Sequence, residues 1–350
     1  MSIRRSSIAL AAVGLALAAL AVLVRYVIVP IATKLPGNTD ETVHYSGKAT
    51  MLNSEALQSG DVAHAINSNV PITVDRRLRV TSTHGDTAII KDFLTVHASK
   101  QALSSSHAYA INRKNMKGSK PPSGTSVEPS KGALSSAFPA HGKRDDSYSF
   151  YDSTTRAIVP VHYLGSAKRD GRAVNVYKIT ATGPVKDPSM LKTLPPALPK
   201  KLVAGLIPSL PATTRAKFTP AAVAALPDPA PLTYTGKTTI VAYVDHQTGI
   251  AIDQTIDQQV VANTVLGGSQ TALLPVSAFN FKITPASMRD LGDKAASAGL
   301  LLTLMTDITP LALIVIAAAL VLIAYLRRRR PQSDASAMSE ADAAAGKLVV

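Results

Sequence analysis

Two apolar runs, one near each end of the chain, constrain its fold more than any other feature. From Leu311 to Leu326 sixteen consecutive residues are Ala, Leu, Ile, Val or Tyr, and Arg327, Arg328, Arg329 and Arg330 close the run. Sixteen helical residues measure about 24 Å. Extension back to Leu300 reaches the ~30 Å of a hydrocarbon core, with Thr303, Thr306, Asp307, Thr309 and Pro310 as its polar or irregular positions. A helix this apolar does not suit the surface of a soluble domain. Residues 300–326 therefore read as a span, and the arginines as a stop held on the cytoplasmic side. A nucleic-acid patch would instead spread basic and aromatic residues over a soluble domain, so no nucleic-acid partner is expected. Asp307 lies twenty residues before Arg327, about 30 Å along a helix, which sets it at the outer interface as a snorkelling acid rather than a proton relay.

The other end agrees. Arg4 and Arg5 precede Ile8–Val24, which is uncharged and rich in Ala and Leu, and the apolar character continues past Arg25 and Tyr26 without an A-x-A cleavage site. An uncleaved anchor over 8–31 fits better than a signal peptide. The expected arrangement is a plasma-membrane protein with cytoplasmic ends at 1–7 and 327–350. Residues 32–299 form a large domain on the cell-wall side.

That external segment keeps its own charge. The chain has 37 basic and 23 acidic residues, of which seven basic and three acidic ones lie at the two ends, leaving roughly ten positive charges in excess between the spans. Such a surface favours anionic partners, lipid headgroups or acidic polymers among them. With no cysteine anywhere, the fold rests on its core, and thiol catalysis and Cys-based metal sites are excluded.

Most of the external segment has strand patterning. Residues 42–51, 77–83, 87–98, 147–153, 172–183, 232–244, 250–262 and 277–284 are rich in β-branched and aromatic residues, several alternating at period two. "DHQTG" (245–249) reads as a tight hairpin ending in Gly. Thr284 followed by Pro285 marks a helix start that feeds the second span. The expected fold is a mainly β external domain, an antiparallel sandwich or half-barrel flanked by two transmembrane helices. Two related subdomains are suggested by the echo between "HYSGKAT" (44–50) and "TYTGKTT" (233–239). Residues 113–145, rich in Lys, Ser, Gly and Pro, read as a flexible insert. Residues 184–231 are apolar yet broken by eleven prolines, which suits short helices over a groove or ordinary core packing.

No catalytic motif survives inspection. "TGKTT" lacks the first glycine of a P-loop, Pro231 standing there, and lies in a β pattern. The eight histidines show no metal-ligand spacing, and no G-x-S-x-G elbow occurs. Asp145, Asp146, Asp152, Asp245, Asp253 and Asp257 could hide a catalytic pair, but turn chemistry explains them more simply. No catalytic residue, metal or cofactor is expected. The chain reads as non-enzymatic, with an enzyme using dispersed carboxylates as the rival.

Taken in order, "SYSFYDSTTRAIVPVHYLG" (147–165), "DGRAVNVYKITATG" (170–183), "YTGKTTIVAYVDHQTGIAIDQT" (234–255) and "FNFKITPASMRDLGDKA" (279–295) resemble the actinobacterial porin PorA family. The likeness covers nearly the whole chain; the stretch 113–145 departs from it. The resemblance implies a cell-envelope protein. In mycolate-bearing relatives it implies handling of an envelope glycolipid such as trehalose monomycolate, beside an RND-type lipid exporter. It supplies no catalytic residue. Two helical spans cannot enclose an aqueous pore in one chain, so a porin or channel role requires an oligomer. The expected activity is binding or transfer of an acyl lipid or glycolipid, with Leu202, Leu206, Ile207 and Leu210, the leucines and isoleucine of "LVAGLIPSL" (202–210), lining the chain's path.

Overall fold

The structure, a computed structural model, describes residues 5–98 and 101–329. In chain order the elements begin with α1 (Arg5–Leu23), a π-helical turn (Val24–Ile28) and α2 (Val29–Ala32). Then come β1 (Asp40–Leu52), α3 (Ser54–Ser59), β2 (Ile66–His84), β3 (Thr87–Ala98), β4 (Gln101–Asn112), β5 (Ser149–Asp152), β6 (Ala157–Arg169) and β7 (Arg172–Pro184). A broken stretch follows with α4 (Pro188–Thr193), β8 (Ala197–Leu198), α5 (Lys200–Leu206), α6 (Ala212–Arg215), α7 (Pro220–Ala224) and β9 (Ala230–Pro231). The last elements are β10 (Thr233–Asp245), β11 (Ala251–Leu266), β12 (Ser269–Ile283), α8 (Pro285–Thr303), a second π-helical turn (Leu304–Ile308) and α9 (Thr309–Arg329). Two compact units result: Met1–Thr33 with Leu300–Val350, and Lys34–Gly299.

The first unit is an antiparallel pair of helices, α1 against α9. Small residues form the seam, as close helix approach in lipid requires. Ala21, Ala317 and Ala324 are buried, and a Cβ added at Gly14 would meet Val321 Cγ2 at 2.9 Å and the Ala317 carbonyl at 3.0 Å. Large apolar side chains such as Leu15 and Leu311 face outward. Among the described residues, Ala9–Ile31 and Pro285–Arg327 are long and apolar enough to cross a membrane. The two π turns face each other, and there Arg25 Nη1 donates to the Thr306 carbonyl at 2.6 Å and stands 3.7 Å from Asp307 Oδ1. Arg4 and Arg330 lie outside the described residues.

The second unit is a ten-stranded antiparallel half-barrel in the order β4-β3-β2-β1-β12-β11-β10-β7-β6-β5. Period-two patterning explains it: on β10 the even positions Tyr234, Thr238, Ile240, Ala242 and Val244 are buried, while Lys237 faces water. Thr284 caps α8 by accepting from the Ser287 N–H at 3.2 Å. The echoed segments are β1 and β10 of this one sheet.

The insert of 113–145, expected as a flexible excursion, instead packs along the sheet's open side. Gly118 and Ser119 donate to the Ala133 and Ala110 carbonyls, Glu128 donates to Ala108, and Leu134 donates to Ser149. Glu128 thereby bridges to β4 and Leu134 to β5, the two edge strands. Ala133 and Leu134 are 1% exposed. Composition misleads here because a few small apolar residues and backbone hydrogen bonds suffice to seat the segment.

Candidate functional site

Polar side chains at inward positions divide the concave face. On one side lies the first apolar cluster, with Tyr45, Val74, Ile111, Val161, Tyr177 and Phe281. On the other lies a second, formed between the sheet (Val260, Ala262, Leu274, Val276) and the proline-rich stretch (Val185, Val203, Leu206, Phe218, Leu226). Short helices form there because prolines at or near their starts set φ while losing only N–H groups that a first turn leaves unpaired anyway; Pro188 and Pro220 are such residues.

The belt between the clusters starts at Arg76 on β2. Its Nη2 donates to Asp92 Oδ2 at 2.6 Å and its Nε to Oδ1 at 3.1 Å. Burial would push the guanidinium pKa down, yet Asp92 more than offsets this and the value rises. Tyr45 hydroxyl donates to Gln254 Oε1 at 2.9 Å; burial pushes that phenol up.

His107 on β4 lies 2.6 Å from Glu128 Oε1 of the insert and 4.0 Å from Asp187 Oδ2. Both His107 and Glu128 side chains are 14% exposed. Burial opposes charge on each, but each overcomes it for the other: the His107 pKa is raised and that of Glu128 lowered. Both shifts favour the charged forms. Among the described residues no hydrogen-bond partner reaches the buried Oε2 of Glu128 or the Tyr151 hydroxyl; burial, then the Glu128 charge, pushes the Tyr151 pKa up.

The β5–β6 turn joins belt to roof. Asp152 Oδ2 accepts from the Thr155 N–H at 2.9 Å and from its hydroxyl at 2.7 Å. Gln258 donates to Thr154 Oγ1 at 2.7 Å, and the Lys186 and Asp187 N–H groups donate to the Thr154 carbonyl. The glycine of "TGKTT" is explained here: a Cβ at Gly236 would meet Thr154 Cγ2 at 2.8 Å. Arg156, at φ +53°, ends the turn. It lines an open cavity of about 290 Å³ with Ala108, Ser126, Val127, Glu128 and Pro129, and its exposed guanidinium is available to a polar group there.

The sequence-predicted lipid contacts fall as follows. Leu206 and Leu210 are buried in the second cluster, at 1% and 8% exposure. Ile207 packs against it, half-buried, and Leu202 is half-buried outside it. The six aspartates do not converge. Asp145, Asp152 and Asp245 accept backbone N–H groups two or three residues on, and Asp146 accepts from Tyr163 N. Asp253 pairs with Arg169, and Asp257 accepts from Asn280. His107, Glu128, Asp187 and Arg156 were not singled out from the sequence. One signal was present: Arg76 falls in phase with Ile72, Val74, Leu78 and Val80, and His107 with Tyr109 and Ile111.

A half-barrel domain in one chain with a two-helix hairpin defines a membrane-tethered β protein. The family model described as "Porin PorA" matches residues 6–326. The chain belongs to that family, and it is a membrane protein of the envelope. No curated protein matches it. Among solved structures it is similar to a MaoC-like dehydratase from Phytophthora capsici (9% identity, 70% of this chain and 72% of that one, TM-score 0.14). It is also similar to the acyl-CoA thioesterase II TesB2 from Mycobacterium marinum (10%, 73% and 83%, 0.13). A conserved hot dog fold protein of unknown function from Alicyclobacillus acidocaldarius gives 11%, 72% and 81%, at 0.12. At these scores the likenesses carry no argument about fold or function.

Proposed function

We propose that the external domain is a non-enzymatic binding module for an acyl lipid or glycolipid, with both chain termini in the cytoplasm. One observation carries the reading: an apolar cluster roofed by short, proline-punctuated helices borders directly on a polar belt. The polar head would meet Arg156 at the cavity, and the acyl chain would enter between roof and sheet. Each buried methylene contributes about 0.8 kcal/mol before costs. The aspartates' engagement in turns and ion pairs supports binding over catalysis.

The test is mass spectrometry of lipids retained by the full chain after extraction and washing. Wild type should keep a lipid enriched over bulk membrane, and both Ile207→Asp, at the half-buried roof, and Arg156→Gln, at the cavity, should reduce it. Retention of bulk lipid alone would end the proposal. A protease added to wall-stripped cells should cut between the spans and spare a C-terminal tag.

A second reading, an oligomeric channel, is favoured by the family's description. In one chain the edge strands β4 and β5 do not pair with each other and the concave face is filled, so several copies would have to surround the path. Conductance of the purified protein in planar bilayers distinguishes this from lipid binding.

A further inference from the structure

The sequence echo leaves a feature that lipid binding does not use. In both "HYSGKAT" and "TYTGKTT" the tyrosine points into the half-barrel, so the lysine three residues on, Lys48 on β1 and Lys237 on β10, points out of its convex face. Lys178 on β7 and Lys282 on β12 join them there, and all four are exposed.

Strand register fixes their spacing. Lys178, Val241, Thr255 and Lys282 form one cross-strand row. Lys48 lies in the next row, opposite Asn280, and Lys237 in the row after, opposite Gln259. With strands about 4.8 Å apart, Lys178 and Lys282 are separated by about 14 Å, and Lys282 and Lys48 by about 8 Å. The patch is therefore a few strands wide.

These charges are uncompensated, whereas most acids of the domain are committed elsewhere. Asp40 is held by Arg77, Asp86 by Lys34 and Lys114, Asp92 by Arg76, Asp245 by Arg172 and Asp253 by Arg169. None of Lys48, Lys178, Lys237 and Lys282 makes an ion pair among the described residues. One carboxylate, Asp257, lies between them and accepts from Asn280, leaving the patch net positive. The lysines do not guard sheet edges, which is a common use of lysine on strands, because β1, β7, β10 and β12 are interior strands and the edges are β4 and β5. Threonines 180, 182, 239 and 255 fill the same rows and offer hydroxyl donors.

We propose that this convex face binds a linear polyanion, a soluble polymer bearing phosphate or carboxylate groups along its length. A flexible chain can follow a curved face and meet lysines about 8–14 Å apart. A planar membrane touches a convex surface along a narrow strip, and the patch offers no large exposed apolar side chain to insert.

The experiment measures binding of long-chain inorganic polyphosphate to the full chain in phosphatidylcholine nanodiscs, over a range of salt. One variant carries Lys48→Gln, Lys178→Gln, Lys237→Gln and Lys282→Gln. A second, matched in charge, carries Lys143→Gln, Lys192→Gln, Lys201→Gln and Lys217→Gln, all exposed positions off this face. The first should lose at least about tenfold in affinity, and its log–log salt slope should shrink by about 3, as loss of four contacts to a flexible polyanion implies. The second should lose little. Equal losses in both would reduce the effect to net charge and overturn the proposal. So would absence of polyphosphate binding alongside lysine-dependent binding to phosphatidylglycerol vesicles, which would make the face a membrane contact. Because the lipid-retention variants lie at the roof and cavity, failure here leaves that reading untouched.

Discussion

Inside the half-barrel, Arg76 and Asp92 meet through paired hydrogen bonds with side chains 17% and 13% exposed. In the helical hairpin, Arg25 and Asp307 stand 3.7 Å apart with 51% and 69% exposed. The first pair is out of water, so each charge depends on the other and on Tyr45 and Gln254 beyond. The second relies on the backbone: the Arg25 guanidinium takes a carbonyl, Thr306 O, within the opposing π turn. A half-barrel can afford a buried charge only through a network. A hairpin end needs little more than a local break in helical hydrogen bonding.

The sharpest way to break this contrast is to strip one partner from the inner pair. Asp92→Ala leaves Arg76 buried without its counter-charge and should cost about 3–5 kcal/mol in chemical denaturation. Replacing both, Arg76→Met with Asp92→Leu, should recover most of that loss. If the single variant costs no more than a surface change, the pair is not desolvated as described.

Next comes the turn at Asp245–Gly249. Gly249 has φ +77°, and a Cβ there would lie 2.5 Å from the Phe138 carbonyl of the insert. Gly249→Ala should cost about 2–3 kcal/mol. A neutral result would mean the insert does not press on this hairpin.

The His107–Glu128 pair adds a pH dependence. The raised His107 value means its contribution is complete below the ordinary histidine value of ~6.5 and fades as pH rises through the folded value. The lowered Glu128 value means its contribution is present above ~4.5 and fades as pH falls. Relative to His107→Gln, stability should therefore be greatest between about pH 4.5 and 6.5 and fall away on either side. Parallel stability–pH curves for the two proteins would show that the pair is not ionic.

The smallest effect belongs to Arg25 and Asp307. A double-mutant cycle with alanine in nanodiscs should give a coupling of only about 0.5–1 kcal/mol. A coupling of several kcal/mol would make the hairpin pair as buried as the one inside the barrel.

Much of this was legible before the fold was known. The strand at 87–98 was placed to the residue, and Pro285 starts its helix where expected. Two strands of the half-barrel escaped. β4 opens "QALSSS", where serines dilute the β pattern, and β6 carries Pro160 and Gly165. Pro160 is tolerated because β6 is next to the sheet's end, paired there only with the short β5. The Arg25–Asp307 pairing was also missed, although each lies twenty residues from the arginine at its helix's far end, Arg5 and Arg327. The polar belt was hardest to see, because Glu128 and Asp187 reach it from irregular chain, where no periodicity tells inward from outward.

The bridging of β4 to β5 by residues 113–148 has one more consequence. In a fully paired barrel, strand number and shear fix the girth, so the bore changes only in discrete steps. Here a seam of irregular chain, seated by Gly118, Glu128 and Leu134, acts as a gusset let into a garment. Lengthening or shortening it would tune the width of the interior without moving a single strand out of register. The interior of such a molecule can be resized by changes confined to its least regular segment.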